Sequence, residues 1–245
     1  MRSFGLIGFP LIHSFSQKFF TEKFKREGIL DCVYEKFPIP IIDELPALLK
    51  AHSDLHGLNV TIPYKEKVIA YLDNASEVVR QTGACNCIRI KEGRLSGFNT
   101  DTIGFEISLK TKLLPHHKKA LILGKGGAAK AVAYTLSKIG IEFLYVVRRE
   151  SHDIGTILYN QVNERIMRSH QLIINTTPIG TFPDVDAAPQ ILYQYITADH
   201  YLYDLVYNPP ETLFLKLAGE QGAIIQNGSE MLVIQAEESW KIWNQ

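Results

Sequence analysis

Two charged side chains, Lys65 and Asp101, stand in the sequence where a reacting ligand could meet them. The stretch LNVTIPYKEK (58–67) has the alternation of a strand, and Pro63 ends it, so Lys65 falls just past the carboxyl end of that strand. The stretch FNTDTIGF (98–105) places Asp101 at a strand-to-helix junction, where it could equally be a helix N-cap. A lysine in such a place can bind a substrate carboxylate or move a proton, and both roles stay open at this point.

Hydroxyl and amide side chains occupy similar places beside other predicted strands. Ser14 and Ser16 follow the first strand, Asn86 opens a later one, and strand alternation puts Asn59 and Thr61 on one face of LNVTI. Each has a structural alternative; Ser14, for example, fits a capping box with the glutamine three residues later. Together these side chains suit a small polyhydroxylated substrate.

A glycine-rich turn opens the second half of the chain. ALILGKGGAAKAV places Gly124, Gly126 and Ala129 in the pattern G-x-G-x-x-A, directly after an apolar strand and at the start of a helix. Gly124 permits the tight turn, Gly126 lets a pyrophosphate approach the backbone, and Ala129 lets helix and strand pack closely. The pattern predicts a dinucleotide site, and a merely tight strand-to-helix turn is the alternative.

The strand that follows ends in VVRRE, where dinucleotide sites distinguish their cofactors. Arg148 and Arg149 favour NADP, because a guanidinium can bind the 2′-phosphate. Glu150 beside them is a residue type that NAD sites use for the ribose hydroxyls, so NAD stays possible. A solvated charge cluster is the structural alternative.

Composition narrows the classes of function. The 245 residues carry 26 basic and 26 acidic side chains, which argues against a broad nucleic-acid footprint or a polybasic membrane surface. We therefore expect no nucleic-acid or membrane partner. The hydroxyl and amide side chains favour a small-molecule substrate, and the oligomeric state, monomer or homodimer, stays open. No apolar stretch has the length of a signal peptide or a membrane span, so we expect a cytoplasmic protein.

The three cysteines indicate a reducing compartment. Cys32, Cys85 and Cys87 are odd in number and lack the spacing of a disulfide framework. Cys85 and Cys87 could be half of a zinc site, but no His or Cys pair at ligand spacing completes four ligands. We expect two small buried thiols and no bound metal.

Strand-like and helix-like stretches alternate along the chain, which predicts an α/β fold. A polar stretch, 106–119, separates two such series, and we expect its His116 and His117 to be solvated loop residues. The two series predict two α/β domains with a ligand-binding cleft between them. Besides the strand before Gly124, predicted strands cover 4–8, 33–37, 58–62, 86–90, 93–98, 142–147, 171–177, 201–207 and 222–226, and predicted helices 16–28, 41–51, 65–73 and 231–243.

A set of motifs resembles the shikimate dehydrogenase family in content and order. They are SFSQ after GFPLIH, then NVTIPYK, GACN, FNTD, LGKGGAAKA, INTTPIG, YDLVYNP and NGSEMLVIQA, and they cover nearly the whole chain. The resemblance implies reversible, NADP-dependent reduction of 3-dehydroshikimate to shikimate, in chorismate and aromatic amino-acid biosynthesis. It also implies an N-terminal substrate domain, 1–105 with the returning helix 229–245, and a Rossmann-like NADP-binding domain, 106–228.

Residue roles follow from the resemblance, position by position. Lys65 and Asp101 would be the catalytic pair and would also contact substrate. Other substrate contacts would be made by Ser14 and Ser16 at the carboxylate, and by Asn59, Thr61, Asn86 and Gln235 at the ring hydroxyls. Cofactor contacts would be made by Gly124, Gly126, Gly127, Ala128, Ala129, Arg148, Arg149, Thr177, Tyr207 and Gly228.

Several positions depart from the family pattern. Lys125 replaces a small residue, and we expect its side chain to point to solvent, with a phosphate contact as the alternative. Glu230 replaces a glycine that lies near the nicotinamide amide in the family, and Cys87 replaces a common threonine. Arg148, Arg149 and Glu150 stand where the family has N-R-T.

Two rival functions share this scaffold. One is an NAD-dependent quinate/shikimate dehydrogenase, since one polar contact can decide which ring is accepted. The other is a non-catalytic binding module, against which the presence of both Lys65 and Asp101 speaks.

Overall fold

The computed structural model describes residues 1–11, 15–149 and 153–245, and the chain divides into two compact units. The first unit is Met1–Ile103 with Val233–Gln245, and the second unit is Gly104–Leu232. Each contains a six-stranded sheet. The predicted α/β class with two sheets is confirmed.

The sheet of the first unit is mixed, with the strand order β2-β1-β3-β5-β6-β4. β1 pairs parallel with β2 and β3, whereas β5 and β6 form the expected antiparallel hairpin. The strands are β1 (Arg2–Gly8), β2 (Cys32–Pro38), β3 (Leu55–Val60), β4 (Asn74–Ala75), β5 (Cys87–Lys91) and β6 (Arg94–Phe98). The helices are α1 (Phe15–Glu27), α2 (Leu45–Ala51) and α3 (Glu77–Thr82), and two more, α4 (Asp101–Lys110) and α8 (Ser229–Trp243), carry the chain out of and back into this unit.

The end of α8 is fastened to this sheet by Trp243. Its ring stacks on Phe4 with centroids 4.9 Å apart, and its indole N–H donates to the carbonyl of Ile88 at 3.0 Å. A Cβ at Gly57 would lie 2.3 Å from the indole, so only glycine lets the ring lie on β3. The returning helix therefore belongs to the core of the first unit, where it brings Gln235 to the sheet.

The second unit has an all-parallel sheet with the order β12-β11-β10-β7-β8-β9. Numbered from β7, this is the 3-2-1-4-5-6 order of dinucleotide-binding folds, in which ligands bind where the order reverses, between β7 and β10. The strands are β7 (Lys119–Leu123), β8 (Glu142–Val147), β9 (Thr156–Leu158), β10 (Leu172–Asn175), β11 (Tyr201–Asp204) and β12 (Ile224–Gln226). The helices, besides most of α4 and the start of α8, are α5 (Gly127–Lys138), α6 (Glu164–Ser169) and α7 (Leu213–Gly219).

One predicted helix, 65–73, is wrong. The chain there makes a turn and a short 3₁₀ helix, Lys67–Tyr71. The carbonyl of Lys65 accepts the backbone N–H of Cys85 at 2.7 Å, so it is not free to start an α-helical ladder. β3 also ends at Val60, earlier than the predicted 62.

The cysteines behave as buried thiols. All three are unbridged and buried, and burial raises the pKa of Cys85 to about 12.

No helix within 1–11, 15–149 and 153–245 is long and apolar enough to cross a membrane.

The paired histidines differ in environment. His116 is exposed, as expected, but His117 is 2 % exposed, so its prediction as a solvated residue is wrong. His117 Nδ1 accepts the backbone N–H of Leu114 at 3.0 Å, and Nε2 lies 3.0 Å from the carbonyl oxygen of Asp199. His200 is held in the same way by one backbone N–H and one carbonyl, each at 3.1 Å. Both rings are therefore fixed as neutral tautomers.

We predict that acid weakens the fold through these rings. Burial lowers the pKa of His117 and of His200 below 6.5, so the unfolded chain binds more protons, and stability present above pH 6.5 is lost as pH falls. At pH 5.5 each ring costs at most about 1.4 kcal/mol. Urea denaturation at pH 7.5 and 5.5 measures the loss. His117→Gln should shrink the difference in the free energy of unfolding between the two pH values, and an unchanged difference would contradict the assignment.

Candidate active site

Lys65 lies on a turn that its neighbour Tyr64 attaches to the core of the first unit. The Tyr64 ring is 2 % exposed, and its hydroxyl donates to the carbonyl of Ile39 at 2.6 Å. The backbone N–H of Tyr64 donates to the carbonyl of Thr61 at 2.9 Å, which closes the turn after β3. With Tyr64 in the core and the Lys65 carbonyl bound by Cys85, the backbone that carries the Lys65 ammonium is fixed on both sides.

The fold brings Lys65 and Asp101, the two charged candidates, into direct contact. The Lys65 Nζ lies 2.7 Å from a carboxylate oxygen of Asp101, although 36 residues separate them in the chain. Their side chains are only 18 % and 10 % exposed. At such low exposure the two opposite charges attract each other with little screening by water, and loss of either leaves its partner poorly solvated.

A buried hydrogen-bond network surrounds Asn86 at the start of β5. Its side-chain oxygen accepts the backbone N–H of Thr100 at 2.7 Å, and its amide donates to the Thr100 hydroxyl at 3.0 Å. Since Thr100 directly precedes Asp101, Asn86 fixes the backbone from which the Asp101 side chain extends. The Thr100 hydroxyl also donates to Gln235 Oε1 at 3.4 Å, so α8 joins the same network.

Asn59 is bound by protein groups at both ends of its amide. Its oxygen accepts from the Tyr34 hydroxyl at 2.8 Å, and its nitrogen donates to Ser239 at 2.9 Å and to the Asn86 carbonyl at 3.3 Å. Burial raises the pKa of the Tyr34 hydroxyl well above its usual value. Ser16 is half-buried in the first turn of α1. Thr61 is half-buried at the turn. Ser14 lies outside the described residues.

Sequence reasoning gave no individual role to Tyr34, Thr100 or Ser239. Thr100 and Ser239 are fully buried and 3.3 Å apart at their hydroxyls, yet 139 positions separate them. Thr100 directly precedes Asp101 in the stretch FNTD, and this position was the sequence feature that could have identified it as part of the site. Tyr34 and Ser239 stand in an ordinary strand and helix, and only the fold brings them to Asn59.

In the second unit, the glycine turn lies at the reversal of strand order. Gly124 has φ +102°, and a Cβ there would lie 3.0 Å from side-chain atoms of both Thr176 and Thr177, at the end of β10. Gly126 caps α5, and apart from its own atoms and those of its two chain neighbours no atom within the described parts of the chain lies within 4 Å of a Cβ built on it. Behind the turn, Ala129 is fully buried, and Gly127 and Ala128 are half-buried. This open backbone at a helix N-terminus fits a pyrophosphate.

Thr177 is held by a buried network that includes Asp204. The Thr177 hydroxyl donates to Asn175 Oδ1 at 2.6 Å, and the Asn175 amide donates to Asp204 at 2.9 Å. Asp204 also accepts from Thr212 at 2.6 Å, and burial raises its pKa to about 6. The half-buried Tyr207 follows β11 by three residues. The network fixes the loops after β10 and β11 at the edge where ligands bind.

The remaining singled-out positions of the second unit fall in three places. Arg148 and Arg149 are exposed just after β8, and Glu150 is not among the described residues. A Cβ at Gly228 would lie 2.3 Å from the carbonyl oxygen of Leu205, so this glycine permits close backbone packing. The Glu230 carboxylate accepts from Gln226 at 2.9 Å, so it is fastened to β12.

The expectation that Lys125 points to solvent is wrong. Its side chain is 30 % exposed and forms an ion pair with Asp153. It also donates to the Thr156 hydroxyl at 3.2 Å and lies 5.3 Å from the centre of the Tyr145 ring.

Comparisons with known proteins agree with this geometry. Residues 6–88 match the family model described as the shikimate dehydrogenase substrate binding domain. The shikimate dehydrogenase (NADP(+)) of Caldicellulosiruptor saccharolyticus is 37 % identical over 99 % of this chain and 92 % of that protein.

Solved structures give the same result. A chorismate mutase/shikimate 5-dehydrogenase fusion protein from Clostridium acetobutylicum is 36 % identical, with a TM-score of 0.89 over 100 % of this chain and 91 % of that one. Shikimate 5-dehydrogenase from Thermus thermophilus, in complex with NADP(H) and shikimate, is 33 % identical, with a TM-score of 0.87 over 99 % and 93 %. The chain thus belongs to the shikimate dehydrogenase family.

Proposed function

We propose that this protein catalyses the reversible NADP-dependent reduction of 3-dehydroshikimate to shikimate in aromatic amino-acid biosynthesis. The observation that carries the proposal is the low-exposure pair of Lys65 and Asp101, 2.7 Å apart, on a chain whose relatives are shikimate dehydrogenases. An acid–base pair is what interconversion of a ketone and an alcohol requires.

Lys65 provides the proton. NADPH held by the second unit would supply the hydride to the ring carbon, and NADP⁺ would be the hydride acceptor in the oxidation direction. As the carbonyl is reduced, negative charge grows on its oxygen, where the Lys65 ammonium stabilises it and donates a proton. In the oxidation direction Lys65 accepts the hydroxyl proton. Asp101 orients the Lys65 side chain toward the reacting oxygen.

The remaining substrate groups have complementary donors and acceptors in the first unit. Ser16 and Ser14 are assigned to the substrate carboxylate, and Thr61, Asn86 and Gln235 to the ring hydroxyls. Asn59 already has protein partners on both amide atoms. It is therefore assigned a structural role, which is to hold Asn86 and Ser239 in place, besides its contact with the ring.

The second unit has the residues to hold the cofactor. The open backbone from Gly126 to Ala129 is assigned to the pyrophosphate, and Arg148 and Arg149 to the 2′-phosphate. Thr177, Tyr207 and the Gly228 backbone are assigned to the nicotinamide end.

A four-way assay tests the proposal. The purified protein is given shikimate or quinate with NADP⁺ or NAD⁺, and reduced cofactor is followed by absorbance. The expected result is the highest kcat/KM with shikimate and NADP⁺. Higher kcat/KM with quinate and NAD⁺ would replace the proposal by the rival dehydrogenase, and no oxidation with any combination would favour a binding module.

We predict that Arg149→Ala narrows the preference for NADP⁺ over NAD⁺. A charge-assisted hydrogen bond to phosphate contributes about 1.5 to 3 kcal/mol, so kcat/KM with NADP⁺ should fall roughly 10- to 150-fold, with little change for NAD⁺. The ratio of kcat/KM for the two cofactors is the measurement. A preference for NAD⁺ in the unmodified protein that survives Arg149→Ala rejects the 2′-phosphate assignment.

A further inference from the structure

We propose that Lys125 is a specificity-determining residue whose ammonium binds the 2′-phosphate of NADP together with the arginines after β8. The inference rests on the proposed NADP dependence. It assigns a role to a residue that departs from the family pattern.

The sheet register places Lys125 beside those arginines. β7 and β8 run parallel with Leu123 opposite Val146, so their carboxyl ends open at the same edge of the sheet. Lys125 is two residues past Leu123, and Arg148 is two residues past Val146. The loops that carry the three cations are therefore adjacent.

The direction of the Lys125 side chain selects the ribose side of this edge. It crosses the Tyr145 ring at 5.3 Å and reaches Thr156 on β9, away from β10 and Thr177. In this strand order the adenosine half of a dinucleotide lies on the β8 side, and the nicotinamide half on the β10 side. The ammonium is thus directed toward the end of the cofactor where NADP and NAD differ.

The present partner of Lys125 is easily exchanged. Asp153 is 67 % exposed, and an ion pair with so exposed a carboxylate contributes little to stability. A phosphate monoester carries about −1.5 to −2 charges at neutral pH and has three acceptor oxygens, so it competes well against one carboxylate. Tyr145 and Thr156 hold the ammonium in place, which limits the entropy lost when phosphate binds.

A purely structural role is the alternative, in which the Lys125–Asp153 pair only fastens the glycine turn to the loop before β9. The two roles differ in their effect on ligands. A structural role affects every adenosine ligand alike, whereas a phosphate contact affects only ligands that carry a 2′-phosphate.

The test is calorimetric titration of the ligand-free protein with adenosine 2′,5′-bisphosphate and with 5′-AMP. Lys125→Met should weaken binding of the bisphosphate by roughly tenfold or more and leave 5′-AMP within about twofold. Asp153→Asn, which removes the competing carboxylate, should strengthen bisphosphate binding by about two- to fivefold. Lys119→Met is the matched control, because Lys119 begins β7 at the opposite end of the strand and pairs with Glu142; it should change neither ligand.

The outcomes separate this inference from the proposed function. Equal weakening of both ligands by Lys125→Met, or no change in either, overturns the role of Lys125 while leaving NADP dependence intact. An unmodified protein that binds 5′-AMP as tightly as the bisphosphate contradicts the NADP assignment itself.

Discussion

Replacing Lys65 with alanine is expected to lower kcat by roughly 10²- to 10⁴-fold in both directions, the usual scale for loss of a general acid–base group. The variant has no donor for the oxygen on which charge develops. The Lys65 ammonium is the charged group that the turn at Tyr64 and the carboxylate of Asp101 fix in place. Steady-state kinetics at saturating shikimate and NADP⁺ give the value.

Two further variants make the result specific. Lys65→Met keeps most of the side-chain volume, and it should lose as much activity as the alanine variant. Lys67→Ala removes the same charge from an exposed position two residues on, and it should retain normal kcat. Thermal melting of each protein shows that it is folded at the assay temperature. Near-normal turnover by Lys65→Met would remove Lys65 from the mechanism.

Replacing Asp101 with asparagine should lower kcat by roughly 10- to 10³-fold. The asparagine keeps the shape of the side chain but no longer stabilises or orients the Lys65 ammonium. The KM for shikimate should rise as well, because Asp101 is also assigned to the substrate. Kinetics with varied shikimate separate the two effects.

The double variant Lys65→Met/Asp101→Asn shows whether the two residues act as a unit. If Asp101 acts through Lys65, kcat should fall little further than in Lys65→Met alone. The free energy of unfolding should be higher for the double variant than for either single variant. Each single change leaves one charged side chain poorly solvated and without its partner, whereas the double change leaves no charge at this place. Fully multiplicative losses in kcat would show that Asp101 acts independently of Lys65.

Local spacing was enough to predict the parts of the site that lie within one motif. In the pattern G-x-G-x-x-A between a strand and a helix, the residue types themselves determine the backbone conformation of the turn. Gly124 has the positive φ that this turn requires. The end of β3 and the start of α4 likewise identified Lys65 and Asp101 as candidates. Their separation of 2.7 Å was not predictable, because it depends on how β3 and β6 are placed in the sheet.

Features that depend on distant partners were missed or misjudged. The buried His117 ring contacts the carbonyl oxygen of Asp199, which is 82 residues away in the chain. The local sequence shows only a polar stretch, so it could not indicate this burial. Lys125 was expected in solvent because its partner Asp153 lies beyond a whole helix and strand. The helix expected at 65–73 failed for the same reason, since a distant backbone N–H takes the carbonyl of Lys65.

The central claim is that the ammonium of Lys65 reaches the oxygen that gains or loses the proton. A crystal structure of the protein with NADP⁺ and shikimate bound measures this distance directly. The expected result is a hydrogen bond of about 2.7 to 3.2 Å from Lys65 Nζ to the ring oxygen that is oxidised, with Asp101 still in contact. A Lys65 Nζ more than about 4 Å from that oxygen and turned into solvent would contradict the mechanism.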